Sequence, residues 1–135
     1  MKIRSSQISG TWYPENPHEL RETVDGSLSE AGPSMLSQPP AGLIVPHAGY
    51  QYSGRTAAYG YNTLKKEDVD TIVIISPLHR PPSPDIFIPE ADAYETPLGR
   101  IEIEKTVLEK LQKKTEMSSI KNDGEHAIEI HLPFY

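Results

Sequence analysis

The sequence predicts an α/β fold with a parallel central sheet, and three observations support this class. Residues 42–45 (GLIV) and 71–75 (TIVII) are short, wholly apolar runs of the kind that form buried strands. The segment between them places Ala57, Tyr61 and Leu64 on one stripe of a helix. Strand, helix and strand in this order form a βαβ unit, which predicts an adjacent parallel pair buried on both faces.

The composition is that of one small globular domain over residues 1–135. Hydrophobic residues make up 36% and charged residues 24% of the chain, a balance that argues against disorder. Its 135 residues leave room for one modest core. The 13 prolines predict many turns and extended loops.

Charge and cysteine content exclude several classes of function. A net charge of -6 without a basic cluster argues against a nucleic-acid partner. No apolar run approaches the roughly 20 residues that a membrane helix needs, and the N-terminus lacks an apolar signal core, so we expect a cytoplasmic protein. Because the chain has no cysteine, a metal bound by it must use imidazole, carboxylate or water.

The first predicted helix covers residues 16–31. Asn16 can cap it, Pro17 suits its first position, and Leu20 and Val24 begin an apolar stripe with a spacing of four residues. Glycine and prolines at 32–40 end it. The helix of the βαβ unit is predicted at 54–65.

Four further elements are predicted after the βαβ unit. They are a strand at 85–89, a turn leading into an extended segment at 94–104, a helix at 104–114 with Val107, Leu108 and Leu111 inward, and a helix beginning near Glu125 with Asp123 as its cap. The sequence ends on an aromatic pair without a basic or polar last turn. We therefore expect that it stops within an element.

Two histidines follow the two apolar runs. His47 lies two residues after the first run and His79 four residues after the second. Because the carboxyl ends of parallel strands meet at one edge of a sheet, both imidazoles are expected at the same rim. Two imidazoles suit a divalent metal ion. The alternative is a pair of loop histidines that bond to the backbone.

Other residues near these histidines are candidates for ligand binding. Tyr50 and Tyr52 can place phenols in a pocket, although alternation predicts that one points inward and the other to solvent. Ser53 is expected to cap the following helix, whose positive end favours an anion. His126 and Glu129, three residues apart, predict a helix face on which a carboxylate orients an imidazole. A solvated helix face is the alternative.

Five ordered motifs are similar to those of one known family: SGTWYP, PHAGYQYSGRTAAYGY, SPLHR, YETPLG and DGEHAIEIHLPF. The chain resembles Memo-like proteins, including those labelled AmmeMemoRadiSam system protein B. The resemblance implies an α/β/α sandwich with a mainly parallel sheet, similar to class III extradiol dioxygenases, which use non-haem iron. Family members are about twice as long, which implies that this is the N-terminal part of the domain.

The resemblance also assigns roles to individual residues. His47 and His79 match metal-site histidines, and His126 matches a histidine that lines the same pocket. It implies a divalent metal cofactor, with iron first and copper or zinc as alternatives, and a third ligand outside this chain. The expected activity is a metal-dependent oxidoreductase acting on a small aromatic or phenolic compound. The alternative is a binding or adaptor protein that takes a peptide or small anion in the same cleft.

Four expectations about the site and the surface follow. The ligating nitrogens of His47 and His79 are expected roughly 3 to 4 Å apart, as metal geometry requires. His126 is assigned to proton transfer, not metal ligation, and the start of a helix is expected to lower its pKa. Tyr50, Ser53 and Glu129 are assigned to substrate binding. Surface that the missing half would cover is expected to promote self-association.

Overall fold

The computed structural model of the chain describes residues 1–64, 69–79, 86–121 and 124–135. It contains both helices and strands, which confirms the α/β class. The helices are α1 (Pro17–Ala31), a π turn (Tyr50–Gly54) that runs directly into α2 (Arg55–Asn62), α3 (Lys105–Gln112) and a terminal 3₁₀ helix (Glu129–Phe134).

The first helix forms as its sequence predicts. The Asn16 side chain accepts hydrogen bonds from the backbone N–H groups of His18 and Glu19, at 2.9 and 3.1 Å. Such a cap satisfies N–H groups that have no partner within the helix. Leu20 and Val24 are buried, so α1 packs its predicted apolar stripe against the rest of the molecule.

The strands form two small sheets. Their bounds are β1 Ile3–Arg4, β2 Ile86–Pro89, β3 Ala93–Thr96, β4 Gly99–Glu102 and β5 Met117–Ile120. One sheet has the order β1-β3-β4, in which β1 and β3 are parallel and β3 and β4 antiparallel. The other sheet pairs β2 with β5 in parallel. The strand predicted at 85–89 is thus confirmed as β2, and the extended segment at 94–104 is a hairpin.

The predicted parallel pair at 42–45 and 71–75 is wrong, since neither segment belongs to a strand of the structure. Both runs instead line one cavity. In the first run Leu43 and Val45 are half-buried while Ile44 is fully exposed. The second run likewise exposes Ile75.

The physical reason is that these runs are covered on one side only. Helix α2 packs closely on the first run, because a Cβ at Gly60 would lie 2.5 Å from Cγ1 of Val45. Parallel strands that are apolar throughout need a layer on both faces. In the described part of the chain nothing covers Ile44. The two runs are apolar, as the sequence pattern indicates, but they are not buried on both faces, as it predicts.

The later helices are shorter or less buried than predicted. Helix α2 ends at Asn62, and α3 exists but buries none of its side chains fully; Val107 and Leu108 are half-buried and Leu111 is exposed. The last helix begins at Glu129, not near Glu125, and is of the 3₁₀ type. The predicted cap, Asp123, lies outside the described residues.

The main core lies between α1, the N-terminal segment, the π turn and the 3₁₀ helix. It consists of Ile8, Tyr13, Leu20, Val24, Tyr50 and Ile130. Among the helices of the described residues, none is long and apolar enough to span a bilayer. The cytoplasmic location stays a prediction.

Candidate metal centre

Three histidine side chains meet at one place, although they come from distant parts of the chain. One ring nitrogen from each of His47, His79 and His126 lies within 4.8 Å of the other two. The rings of His79 and His126 are stacked with centroids 4.5 Å apart, and the His47 ring lies 5.3 Å from that of His79. The structure thus brings together the two histidines that were expected to converge and adds His126 to them.

The loop that carries His47 is held by a serine hydroxyl and by a backbone hydrogen bond. The Ser53 hydroxyl accepts a hydrogen bond from the Ala48 N–H at 3.1 Å and donates to the Ala48 carbonyl at 3.3 Å. The Tyr50 N–H donates to the carbonyl oxygen of Trp12 at 2.9 Å. These bonds hold the histidine loop against the Trp12 backbone.

Ser53 does not cap the following helix, contrary to prediction. Helix α2 begins at Arg55, and its cap position, Gly54, makes no side-chain cap bond. Because the π turn continues directly into α2, Ser53 lies within continuous helical backbone and turns its hydroxyl back to Ala48. A role for Ser53 in substrate binding stays a prediction.

Glu125 joins two of the histidines, and sequence reasoning missed it. Its Oε1 lies 2.9 Å from Nδ1 of His79 and 3.2 Å from Nδ1 of His126. Its Oε2 accepts a hydrogen bond from the backbone N–H of His79 at 2.6 Å. The signal that could have revealed it is an acidic residue directly before a candidate site histidine.

The contact with Glu125 selects the ring nitrogen of His79 that can meet a metal ion. When Nδ1–H donates to the carboxylate, the neutral ring keeps its lone pair on Nε2. A carboxylate behind a metal-binding histidine fixes the ring orientation and raises its basicity. His79 therefore presents Nε2 as the atom that can ligate a metal ion. The 3.2 Å contact between Glu125 and Nδ1 of His126 likewise favours a lone pair on Nε2 of His126.

The Glu125 carboxylate is stabilised in its ionised form. Burial raises its pKa, but hydrogen bonds from the His79 backbone and ring, and from the N–H groups of Ala127 and His126, outweigh burial and hold the pKa at about 2. Glu125 is therefore charged at any pH at which the protein would bind a metal ion. It supplies a fixed negative charge behind the histidines.

The side chain of His126 is largely enclosed, and its ring contacts that of Trp12. Its centroid lies 4.1 Å from that of Trp12. Burial lowers its pKa, and His79 and His47 lower it further against the opposite effect of Glu125. The expected direction is confirmed, but its cause is burial and not a helix terminus, because the 3₁₀ helix begins three residues later.

Glu129 binds the N-terminal segment and, among the described residues, makes no hydrogen bond to His126. Its carboxylate is 0% exposed and accepts hydrogen bonds from Arg4 at 2.7 Å, Ser6 at 2.6 Å and Tyr13 at 2.8 Å. Since the 3₁₀ helix begins at Glu129 itself, the two residues share no helix face. The predicted orientation of His126 by Glu129 is therefore wrong, and its substrate-binding role is left without support.

One of the two tyrosines points inward and the other to solvent, as predicted, but the cause is the helical turn and not alternation, because residues two apart share a face in a strand and lie on roughly opposite sides of a helical turn. Tyr50 is buried, and its hydroxyl donates to the Ile130 carbonyl at 3.0 Å. Its ring packs 5.3 Å from that of Phe134. Tyr52 is exposed. Tyr50 thus supports the core, which leaves it little surface to offer a substrate.

Comparison with known proteins identifies the family. A sequence profile described as "Memo-like protein" matches residues 4–135. The chain belongs to the Memo-like protein family. The resemblance drawn from the five motifs is thereby confirmed.

The Memo-like relatives come from distant organisms. The chain is 37% identical to a MEMO1 family protein of Thermoplasma volcanium over 135 residues, 98% of this chain and 49% of the relative. It is 35% identical to a MEMO1 family protein of Aquifex aeolicus over 136 residues, 99% of this chain and 49% of the relative. It is 32% identical to Protein MEMO1 of Danio rerio over 137 residues, 99% of this chain and 46% of the relative. The chain therefore spans about half the length of these curated relatives.

A cavity of about 530 Å³ in this Memo-like chain is lined by His47, one of the three clustered histidines, and by a fourth histidine. His131 is only 6% exposed, and its ring centroid lies 5.9 Å from that of Tyr61. Burial, with a smaller contribution from His47, lowers the pKa of His131 to about 4. Sequence reasoning gave His131 no role, although it lies five residues after His126 in the same motif.

Proposed function

We propose that this chain carries a histidine-based metal centre of a metal-dependent oxidoreductase that acts on a small aromatic or phenolic compound. The observation that carries the proposal is the convergence of His47, His79 and His126 with Glu125 behind two of them. Two imidazole ligands backed by a buried carboxylate, with a third imidazole beside them, suit a transition metal with an open coordination position.

The donor set narrows the choice of metal. Imidazole suits iron, copper and zinc, and the cysteine-free chain supplies no thiolate. Iron is our first candidate, with copper and zinc as alternatives. His47 and His79 would hold the ion, which when bound supplies Lewis-acid or redox chemistry at an open position. Because only two protein ligands are assigned to the ion, we expect weak binding by this chain alone.

His126 would move a proton. Its ring is largely enclosed, and its lowered pKa keeps it neutral near pH 7. A neutral imidazole can accept a proton from a phenol held beside it. The stacked contact with His79 places His126 next to the proposed ligands. Direct ligation by His126 is the outcome that would overturn this assignment.

A binding protein is the second candidate. The His79 side chain is 46% exposed, so the histidines are open to a ligand as large as a peptide. A peptide or small anion bound at the same cleft would need no catalysis. Consumption of oxygen with a catechol would favour the enzyme, whereas binding of a phosphotyrosine peptide to the metal-free protein would favour the adaptor.

Metal titration tests the centre. Iron(II), copper(II) and zinc(II) are titrated into the wild type and into His47→Ala, His79→Ala and His126→Gln. The matched control is His18→Ala, since the His18 side chain is 81% exposed on α1. We expect the two alanine variants at the centre to lose at least tenfold in affinity, and His126→Gln and the control to keep the wild-type stoichiometry.

Two results would contradict these assignments. Equal uptake by all five proteins removes His47 and His79 from the centre. Loss of the metal ion in His126→Gln makes His126 a ligand and ends its assignment to proton transfer.

A further inference from the structure

His131 is a buried polar side chain whose ring makes no hydrogen bond within the described residues. Its backbone N–H donates to the Ile128 carbonyl, and its ring packs beside that of Tyr61. It is 6% exposed and lines the 530 Å³ cavity together with His47. No polar side-chain atom of His131 is both fully buried and unpaired, so its ring nitrogens keep access from the cavity, where a ligand can meet them.

The cavity has the character of a small-molecule site. Its walls include Leu43, Val45 and Ile74, which are apolar and half-buried. Its volume lies within the range of roughly 300–1,000 Å³ that is typical of ligand pockets. Such pockets combine apolar walls with a few polar groups that fix the ligand's orientation.

Among the imidazoles and phenols that line the cavity, His131 is the one whose position fits ligand recognition. The hydroxyls of Tyr61 and Tyr135 interact with each other, which satisfies them internally. His47 belongs to the proposed metal centre. His131 contributes an imidazole that these interactions leave open, and the Tyr61 ring gives the same region an aromatic surface.

We propose that this cavity is the ligand subsite of the metal centre and that His131 positions a small phenol by accepting a hydrogen bond from its hydroxyl group. The inference rests on the proposed function, because it makes the cavity the substrate side of the same centre. It adds a named positioning residue and the chemical group that this residue recognises.

The protonation state of His131 supports this role. Burial holds its pKa at about 4, so at pH 7 the ring is neutral and one ring nitrogen carries a lone pair. A hydroxyl donor satisfies that nitrogen, whereas a methyl group in the same place leaves it unpaired. The site should therefore distinguish ligands that differ only in this group.

The experiment compares p-cresol with p-xylene, in which a methyl group replaces the hydroxyl, by titration of the metal-free protein followed by NMR. A hydrogen bond contributes about 0.5–1.5 kcal/mol, so we expect the wild type to bind p-cresol roughly two- to tenfold more tightly. His131→Phe should lose this preference and keep its affinity for p-xylene. His131→Leu is the second variant if His131→Phe does not fold, and His18→Phe is the exposed control.

Each outcome bears on the inference. A wild type that binds neither compound, or both equally, overturns it, and this arm needs no variant to fold. A preference that survives in both His131 variants removes His131 as the acceptor. Metal titration of the same variants separates the two proposals, because failure of the metal centre appears as unchanged uptake in His47→Ala, not as a change in phenol preference.

Discussion

Glu129 and the segment 69–77 follow opposite rules of burial. Glu129 is a charged side chain with 0% exposure, whereas Val73 and Ile75 are aliphatic side chains that are largely exposed. Hydropathy alone predicts the reverse. The difference shows that the presence of interacting groups within the chain, and not residue type, decides which of these side chains are buried.

The Glu129 carboxylate can be buried because a positively charged side chain and several hydrogen-bond donors contact it. Arg4 donates to the Glu129 carboxylate and also to the backbone carbonyl of Glu125, at 2.7 and 2.5 Å. The N–H of Gln7 donates to the same Glu129 carboxylate at 2.9 Å. Burial raises the pKa of Glu129, but the hydrogen bonds from Ser6 and from Arg4 outweigh burial and hold the pKa below its ordinary value, so the carboxylate stays ionised.

The segment 69–77 is loosely held because it borders a cavity on each side. Residues 69–74 and the side chains of α3 line a cavity of about 460 Å³. The 530 Å³ cavity beside His131 lies against residues 69–77 as well. A void deprives its lining of contact partners, so this region should contribute little to the free energy of unfolding.

Replacing Glu129 tests the stronger half of the comparison and should have the largest effect. Glu129→Ala leaves Arg4 buried without its counter-ion and removes the acceptor for Ser6 and Tyr13. Breaking a buried pair in this way costs about 3–5 kcal/mol. Urea denaturation measures the loss, and Glu22→Ala is the control, since the Glu22 side chain is 70% exposed and its loss should change stability by less than about 0.5 kcal/mol.

Glu129→Gln refines this result. The amide keeps one acceptor oxygen but not the charge, so its destabilisation should lie between those of the control and Glu129→Ala. Equal stability of Glu129→Ala and Glu22→Ala would show that the buried network does not hold the N-terminal segment in place.

The pH dependence of stability should have an intermediate effect. The pKa of His131 is about 4 when folded against an ordinary value of 6.5, so the unfolded chain takes up a proton in this interval and the folded chain does not. Stability is therefore full above pH 6.5 and is lost as pH falls from 6.5 towards 4. The lowered pKa of His126 acts in the same direction.

Urea midpoints of the metal-free protein between pH 7 and pH 5 check this expectation, because the carboxylates contribute chiefly below about pH 4.5. His131→Phe should weaken the dependence on pH, and His18→Phe should keep it. A wild type whose midpoint stays constant over this interval would show that the imidazole of His131 is protonated without cost.

The sequence predicted well those elements that depend on local chemistry. The Asn16 cap formed as expected because it depends on neighbours within a few residues. The stripe of α1 and the strand β2 also formed, since their apolar patterns are local even though the residues they pack against or pair with are distant in the chain. The convergence of His47 and His79 was also foreseen, although by way of a parallel pair that did not form.

The predictions were wrong where contacts between residues far apart in the chain determine the structure. Periodicity marked 42–45 and 71–75 as apolar, but it could not show that one face of each run stays uncovered. The spacing of His126 and Glu129 suggested a shared helix face, whereas Arg4 and Ser6, more than 120 residues away in the chain, bind that carboxylate. The role of Glu125 depends on a contact with His79, 46 residues earlier in the chain, although its place directly before His126 is a local signal that could have marked it.

The smallest effect on stability is expected at the exposed aliphatic side chains. Ile44 and Ile75 are almost completely exposed, so Ile44→Lys and Ile75→Lys should each change the free energy of unfolding by less than about 0.5 kcal/mol.

Exposed apolar surface favours association, and we propose that the chain self-associates through these side chains. Sedimentation velocity should show a concentration-dependent species in the wild type that is reduced in Ile44→Lys/Ile75→Lys. Glu22→Lys, which adds positive charge at an exposed site on α1, separates the loss of apolar surface from the change in charge. The proposal would be contradicted if the wild type stayed monomeric at all concentrations. It would also be contradicted if the wild type, Ile44→Lys/Ile75→Lys and Glu22→Lys associated equally, because the exposed isoleucines would then not form the contact between copies of the chain.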